Sequence, residues 1–164
     1  IRLSLVGSEM CIRDRLVPEI VEAIEKSKAP KLYVCNLMTQ PGETDGLDVT
    51  GHVRAIEAQL ASRGISRKIF SSILAQDELK PSPLVDYYKS KGAEPVKCNK
   101  TDLLSRGYNV YLASLQGSKV TPTLRHDPRS LALAIMRFYR RYKKGNEISM
   151  HLASHKNQAE HSLF

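Results

Sequence analysis

The chemistry-bearing side chains of this sequence gather in one short run, Asn36-Leu37-Met38-Thr39-Gln40-Pro41-Gly42-Glu43-Thr44-Asp45-Gly46. Asn36 carries both donors and an acceptor on one amide and can meet a ribose or a base edge. Thr39, Gln40 and Thr44 supply donors for phosphate or sugar hydroxyls; their simpler use is a hydrogen-bond network within their own turn. Glu43 and Asp45 are acceptors suited to a ribose diol or a divalent cation. Two residues of loop between carboxylates fix no acid–base geometry, so no general acid or base is assigned. The run follows the apolar Leu32-Tyr33-Val34-Cys35 and precedes a segment of helical periodicity. A loop leaving the carboxyl end of a strand and feeding a helix is where open α/β sheets hold ligands, and the N–H groups of the helix start favour an anion. An ordinary strand-to-helix turn is the plain alternative.

A second group is Arg125-His126-Asp127-Pro128. Arg125 precedes a helix start, where a phosphate or a uracil-like carbonyl could meet the guanidinium and the helix N–H groups together. The alternative is a surface arginine paired with Asp127. His126 reads equally as structural or functional. His151 and His155 stand four apart but lack the Glu of a His-Glu-x-x-His helix, so no metal site is assigned. Cys11, Cys35 and Cys98 are too scattered for a disulfide framework or a metal clamp. Cys35 and Cys98 read as small buried hydrophobes of a reducing compartment.

The elements that position these groups follow from periodicity. Leu16, Ile20 and Ile24, with Val21 and Ala23, form a helical stripe with Pro18 in the first turn and Pro30 as its stop. Lys31 to Cys35 predicts a short buried strand. Val49, Val53, Ile56 and Leu60 share one helical face, capped by Asp48 or Thr50 and ended by Gly64 in the left-handed conformation. Lys68 to Ala75 predicts a second strand, Leu84 to Lys89 a short helix closed by Gly92, and Pro95 to Cys98 a third strand. Lys100 to Arg106 gives one or two helical turns ended by Gly107. Tyr108 to Leu115 is a fourth strand with the loose alternation of a sheet edge. Asp127 caps and Pro128 opens a last helix with Leu131, Ala134, Ile135 and Phe138 on one face. Arg137, Arg140, Arg141, Lys143 and Lys144 occupy the rest of it. Residues 145–164 are polar and aperiodic and read as a disordered tail. Strands alternating with helices predict an α/β fold, a doubly wound, mostly parallel sheet with right-handed crossovers. Four strands make about half of such a sheet.

The bulk numbers exclude several classes. The 164 residues, 41% hydrophobic and 26% charged, suit one soluble domain with a core. No apolar run is long enough to cross a bilayer. The net charge of +8 is concentrated near the two ends, and no nucleic-acid-binding pattern accompanies it. The cytoplasm is the expected compartment, and self-association is left open.

The run Tyr33 to Gly46 resembles the signature of the YvcK-like gluconeogenesis factors of bacteria, relatives of the CofD 2-phospho-L-lactate transferases. The resemblance continues through Leu16-Val17-Pro18-Glu19-Ile20, Gly92-Ala93-Glu94-Pro95-Val96 and Leu124-Arg125-His126-Asp127-Pro128, and so spans residues 16–144. It implies a Rossmann-like fold about twice this length with a nucleotide-type ligand in a cleft. The family's glycine-rich phosphate loop belongs to an amino-terminal half that this sequence does not contain. Where the family has a strand ending in a Gly-Pro-Gly-Ser type turn, this chain has Ser8 to Arg15. Residues 1–15 therefore read as a non-native leader, similar to translated adapter sequence, and the remainder as the carboxyl-terminal half of the domain.

The resemblance also places Arg125 and His126 beside the cleft. The expected ligand-binding set is then Asn36, Thr39, Gln40, Glu43, Thr44, Arg125 and His126, with no catalytic residue, no metal, and a UDP-sugar or other nucleotide as ligand. The implied function is a regulator that senses such a nucleotide and supports carbon metabolism and cell-envelope growth. One alternative is a CofD-like transferase moving a phospho-lactyl-type group from a nucleotide to a flavin-like acceptor. The other is a basic interaction module using the last helix.

Overall fold

A computed structural model describes residues 18–62, 64–65, 68–117 and 123–161, with side chains from residue 19 through residue 145. The leader, residues 1–15, lies outside the described residues, as do Leu16 and the side chains of His151 and His155.

Three parallel strands lie in the order β1-β2-β3: β1 (Leu32–Val34), β2 (Ser72–Gln76) and β3 (Asn109–Ala113). Five helices accompany them: α1 (Pro18–Lys26), α2 (Val49–Ala61), α3 (Pro83–Ser90), α4 (Lys100–Ser105) and α5 (Pro128–His161). Strand alternation divides the core. Cys35, Ile73 and Ala75, with Tyr33 and Val110, pack on one face with Val21 of α1, the Val49-Val53-Ile56-Leu60 stripe of α2 and Leu103 of α4. Leu74, Leu32, Val34 and Tyr111 pack on the other with Leu37, Met38, Leu115 and Ala134 and Leu131 of α5. Helix-bearing segments on both faces of a parallel sheet make the fold Rossmann-like and doubly wound. β2 is buried along its whole length, and β3 carries the uneven burial of an edge.

Local chemistry sets the helix ends. Asp48 caps α2 by accepting from Gly51 N at 2.7 Å, and Ser82 caps α3 by accepting from Val85 N. Asp127 Oδ2 accepts from Ser130 N at 2.8 Å to start α5. Gly64, Gly92 and Gly107 follow α2, α3 and α4 with φ of +78°, +86° and +77°, a conformation that L side chains adopt only with strain.

Four expectations need correction. Pro95–Cys98 is not a strand. Pro95 makes only an isolated antiparallel bridge to Met38, and Val96 N donates to Leu37 O at 3.0 Å; proline has no N–H for a ladder, and its neighbours bond to the opening loop instead. The second strand begins at Ser72 rather than Lys68, because Phe70 turns inward to stack on Tyr33, ring centroids 5.2 Å apart. In α1 the buried residue is Val21, whereas Ile20 is 39% exposed, so the apolar stripe is rotated by one residue. The last helix continues through Gly145 to His161 where the polarity of 145–164 suggests a tail. A single interior glycine costs about 1 kcal/mol, and Ala, Glu, Gln, Lys and Met on its far side are good helix formers.

Candidate functional site

Cys35 and Asn36 continue β1 past its last paired residue, with Cys35 N still donating to Leu74 O at 2.9 Å. From there the loop closes largely upon itself. Thr44 Oγ1 accepts from Gln40 N at 2.7 Å, and Gln40 O accepts from Glu43 N and Thr44 N at 3.0 and 2.9 Å. Asp45 Oδ2 accepts from Gly42 N at 2.7 Å. A distant clamp is added by Thr39, whose N–H donates to Glu94 O at 2.7 Å and whose hydroxyl accepts from Glu94 N at 2.8 Å. Gly51 lets the first turn of α2 close on the loop: a Cβ there would stand 3.0 Å from Leu47 Cδ2.

The approach to α5 is built differently. Gln76, at the end of β2 and only 4% exposed, accepts on Oε1 from Leu115 N and Gln116 N at 2.6 and 3.0 Å. Gln116 in turn exchanges two bonds with the Lys80 backbone and bridges to His126. His126 Nε2 lies 3.0 Å from Cys35 O. A carbonyl only accepts, so Nε2 carries the proton of the neutral ring. Burial lowers the His126 pKa and the bond to the Cys35 carbonyl opposes that shift.

These segments border a mostly apolar cleft of about 750 Å³ that runs along β1, the edge strand of the described sheet. Asn36, Glu43, Thr44 and His126 all line it, together with Lys31, His52 and apolar walls that include Tyr33, Ile56 and Phe70. Of the residues expected from sequence, these four are brought together. Thr39 and Gln40 do not line the cleft: Thr39 is buried in its clamp, and the Gln40 backbone closes the turn. Arg125 is exposed and also lies outside the lining. Two residues were missed, Gln76 and His52. His52 sits at the border of the α2 apolar stripe, four residues after the capping Asp48, and that position was the available signal.

The arrangement orients and accepts hydrogen bonds. Burial pushes the Cys35 thiol up to about 12, so it supplies no thiolate nucleophile near neutral pH. The Cys98 thiol is raised as well, again by burial first. No group of three metal-ligating side chains occurs among the described residues. No helix among them is long and apolar enough to cross a membrane.

A parallel sheet with helices on both faces defines a Rossmann-like α/β architecture. The sequence profile of the 2-phospho-L-lactate transferase CofD family matches residues 14–116, and the chain belongs to that family. Within it the chain is similar to the gluconeogenesis factors. It is 32% identical over 117 residues to the Gluconeogenesis factor of Bacillus subtilis, covering 71% of this chain and 35% of that protein. A Nostoc sp. protein provisionally named gluconeogenesis factor is 34% identical over 128 residues, which cover 78% of this chain and 27% of the relative. A crystal structure of a UPF0052 family protein from Bacillus halodurans is 33% identical and superposes with a TM-score of 0.63, over 73% of this chain and 36% of that one. The chain thus spans between 21% and 40% of the length of the curated relatives it matches.

Proposed function

We propose that this chain is part of a cytoplasmic regulatory protein that binds a nucleotide sugar of the UDP-sugar type, linked to carbon metabolism and cell-envelope growth. The observation that carries the reading is the convergence of Asn36, Glu43, Thr44 and His126 on one cleft at the carboxyl end of β1, where open α/β sheets place their ligands. Asn36 suits a base edge or a ribose, and Glu43 suits a diol. Arg125, beside the amino terminus of α5, suits a phosphate.

Equilibrium titration with UDP-N-acetylglucosamine tests this. Saturable binding is expected without turnover, and it is lost in Arg125→Ala. The dissociation constant expected for the 164-residue chain is weaker than about 100 μM, because the chain brings only part of the length of its relatives and few phosphate contacts. Failure to saturate at any soluble concentration would remove the reading.

The description of the matching family favours a second reading, transfer of a phospho-lactyl-type group from a nucleotide to a flavin-like acceptor. Release of nucleotide that depends on an added deazaflavin would select it.

A further inference from the structure

The outward face of α5 collects positive charge that nothing described in the fold uses. From Pro128 to Asn146 the sequence carries six cations, Arg129, Arg137, Arg140, Arg141, Lys143 and Lys144, and no carboxylate. Leu131, Ala134 and Phe138 fix the inward face by packing against the sheet. Arg141 leans over the Tyr111 ring, 6.0 Å to its centroid, and Lys143 stands 5.9 Å from that of Tyr139. Arg129, Arg137, Arg140 and Lys144 fall on the opposite side by the helical repeat and are all exposed. Their side chains make no ion pair or hydrogen bond among the described residues. Leu133 stands among them, 50% exposed. Ile135, Met136 and Tyr139 turn instead toward Pro30 and the edge of β1 and are no part of this face.

Two ordinary uses of helix cations do not account for the four. The helix dipole acts within the last turn, and α5 runs to His161, roughly five turns beyond Lys144. An ion pair along the helix needs a carboxylate, and none stands within four residues of Arg137 or Arg140. Arg137, Arg140 and Lys144 instead follow one another at three- and four-residue spacings, where like charges weaken a helix. An anionic partner would relieve that repulsion.

The shape of the face says which partner. The four cations extend over about 22 Å of a straight helix, with an apolar side chain between them. A flat anionic surface with an apolar layer beneath it matches both features. A nucleic acid would offer phosphates but nothing for Leu133, and no aromatic ring stands among these cations for a base to stack on. We infer that the outward face of α5 docks on an anionic lipid surface, with Arg129, Arg137, Arg140 and Lys144 on the headgroups and Leu133 at the acyl boundary. The inference is independent of the nucleotide-sugar reading and uses no residue of the cleft.

The test uses the 164-residue chain and vesicles of phosphatidylcholine with or without phosphatidylglycerol. The sequence has no tryptophan, so Leu133→Trp reports on that position alone. Its emission is expected to move to shorter wavelength with the phosphatidylglycerol vesicles only, and to return at about 0.5 M salt, where surface charges are screened. In co-sedimentation, Arg137→Gln/Arg140→Gln is expected to weaken binding about thirtyfold. Lys89→Gln/Lys97→Gln removes the same charge from exposed positions elsewhere and is expected to leave binding in place. Equal losses in the two pairs would assign binding to net charge and overturn the proposal. So would a Leu133→Trp emission that anionic vesicles leave unmoved. Tighter retention of a mixed-sequence RNA than of vesicles, lost in Arg137→Gln/Arg140→Gln, would give the face to nucleic acid and overturn it as well.

Discussion

The two connections that lead from the carboxyl ends of β1 and β3 into the long helices α2 and α5 use their side chains differently: those of the first bond mostly within their own loop, and the side chains that hold the second come mostly from elsewhere. Between β1 and α2 the chain ties itself, through Gln40 to Thr44, Gly42 to Asp45 and Gly51 to Asp48, and the 94–97 segment adds a distant seam through Thr39, Leu37 and Val49. Between β3 and α5 the side-chain grips come from other elements: Gln76 grips Leu115 and Gln116, the Lys80 backbone grips Gln116, and the Cys35 carbonyl holds His126, while Asp127 N donating to Leu115 O closes the described ends of the connection on each other. In the first loop most hydroxyls and carboxylates are engaged in its own geometry, and Asn36, Glu43 and Thr44 are the polar residues of that run that line the cleft. In the second, the external grips leave Arg125 exposed. Density of polar residues in a loop therefore measures how much chemistry holds the loop together as much as how much it offers a ligand.

The contrast can be broken at its strongest point first. Gln76→Leu removes two bonds to backbone N–H groups and leaves the buried Leu115 N without its partner. The expected loss is roughly 2–4 kcal/mol in denaturant unfolding, and a loss below about 1 kcal/mol would mean that the second loop holds itself. Thr39→Val keeps the shape of the side chain but strands Glu94 N, at an expected cost of about 2 kcal/mol. The same unfolding assay checks it, and the amide resonances of Glu94 and Val96 are expected to shift with the clamp.

A smaller effect concerns pH. Burial holds the folded His126 pKa below its ordinary value, so the unfolded chain takes up a proton first as the pH falls. The stability this histidine contributes is complete above its unfolded value of about 6.5 and declines as the pH drops through that value toward the folded one. The fall in unfolding free energy between about pH 7 and pH 5 is expected to be shallower in His126→Gln than in the wild type. Parallel curves would show that the ring does not titrate with folding. The smallest effect on stability is expected from Arg125→Ala, within about 0.5 kcal/mol because the side chain is exposed. A larger loss would make it a structural anchor of the second loop.

Much of the frame was legible in sequence because its signals are local. Asp48, Gly64, Gly92, Gly107 and Pro128 each act within one turn of their own position, and the 3.6-residue stripe of α2 identifies its own buried face. Pro95–Cys98 was misread because a short apolar run has no way to announce whether its N–H groups will meet a strand or a loop. Ile20 and Val21 exchanged roles because adjacent apolar residues leave the phase of a short helix open. Gln76 and His52 went unseen for a spatial reason. The importance of Gln76 comes from partners 39 and 40 residues away, and that of His52 from a cleft that exists only once α2 has packed beside β1. Asn36, Glu43 and Thr44 line the cleft, whereas Thr39 and Gln40 serve the loop that carries them.

The most direct measurement is an amide chemical-shift map of the 164-residue chain titrated with UDP-N-acetylglucosamine. Shifts are expected at Asn36, Glu43, Thr44, His52 and His126, moving together with one dissociation constant, while Arg137, Arg140, Arg141, Lys143 and Lys144 on α5 stay in place. Shifts confined to that basic helix, or no shifts at all, would contradict a nucleotide-sugar site in this cleft.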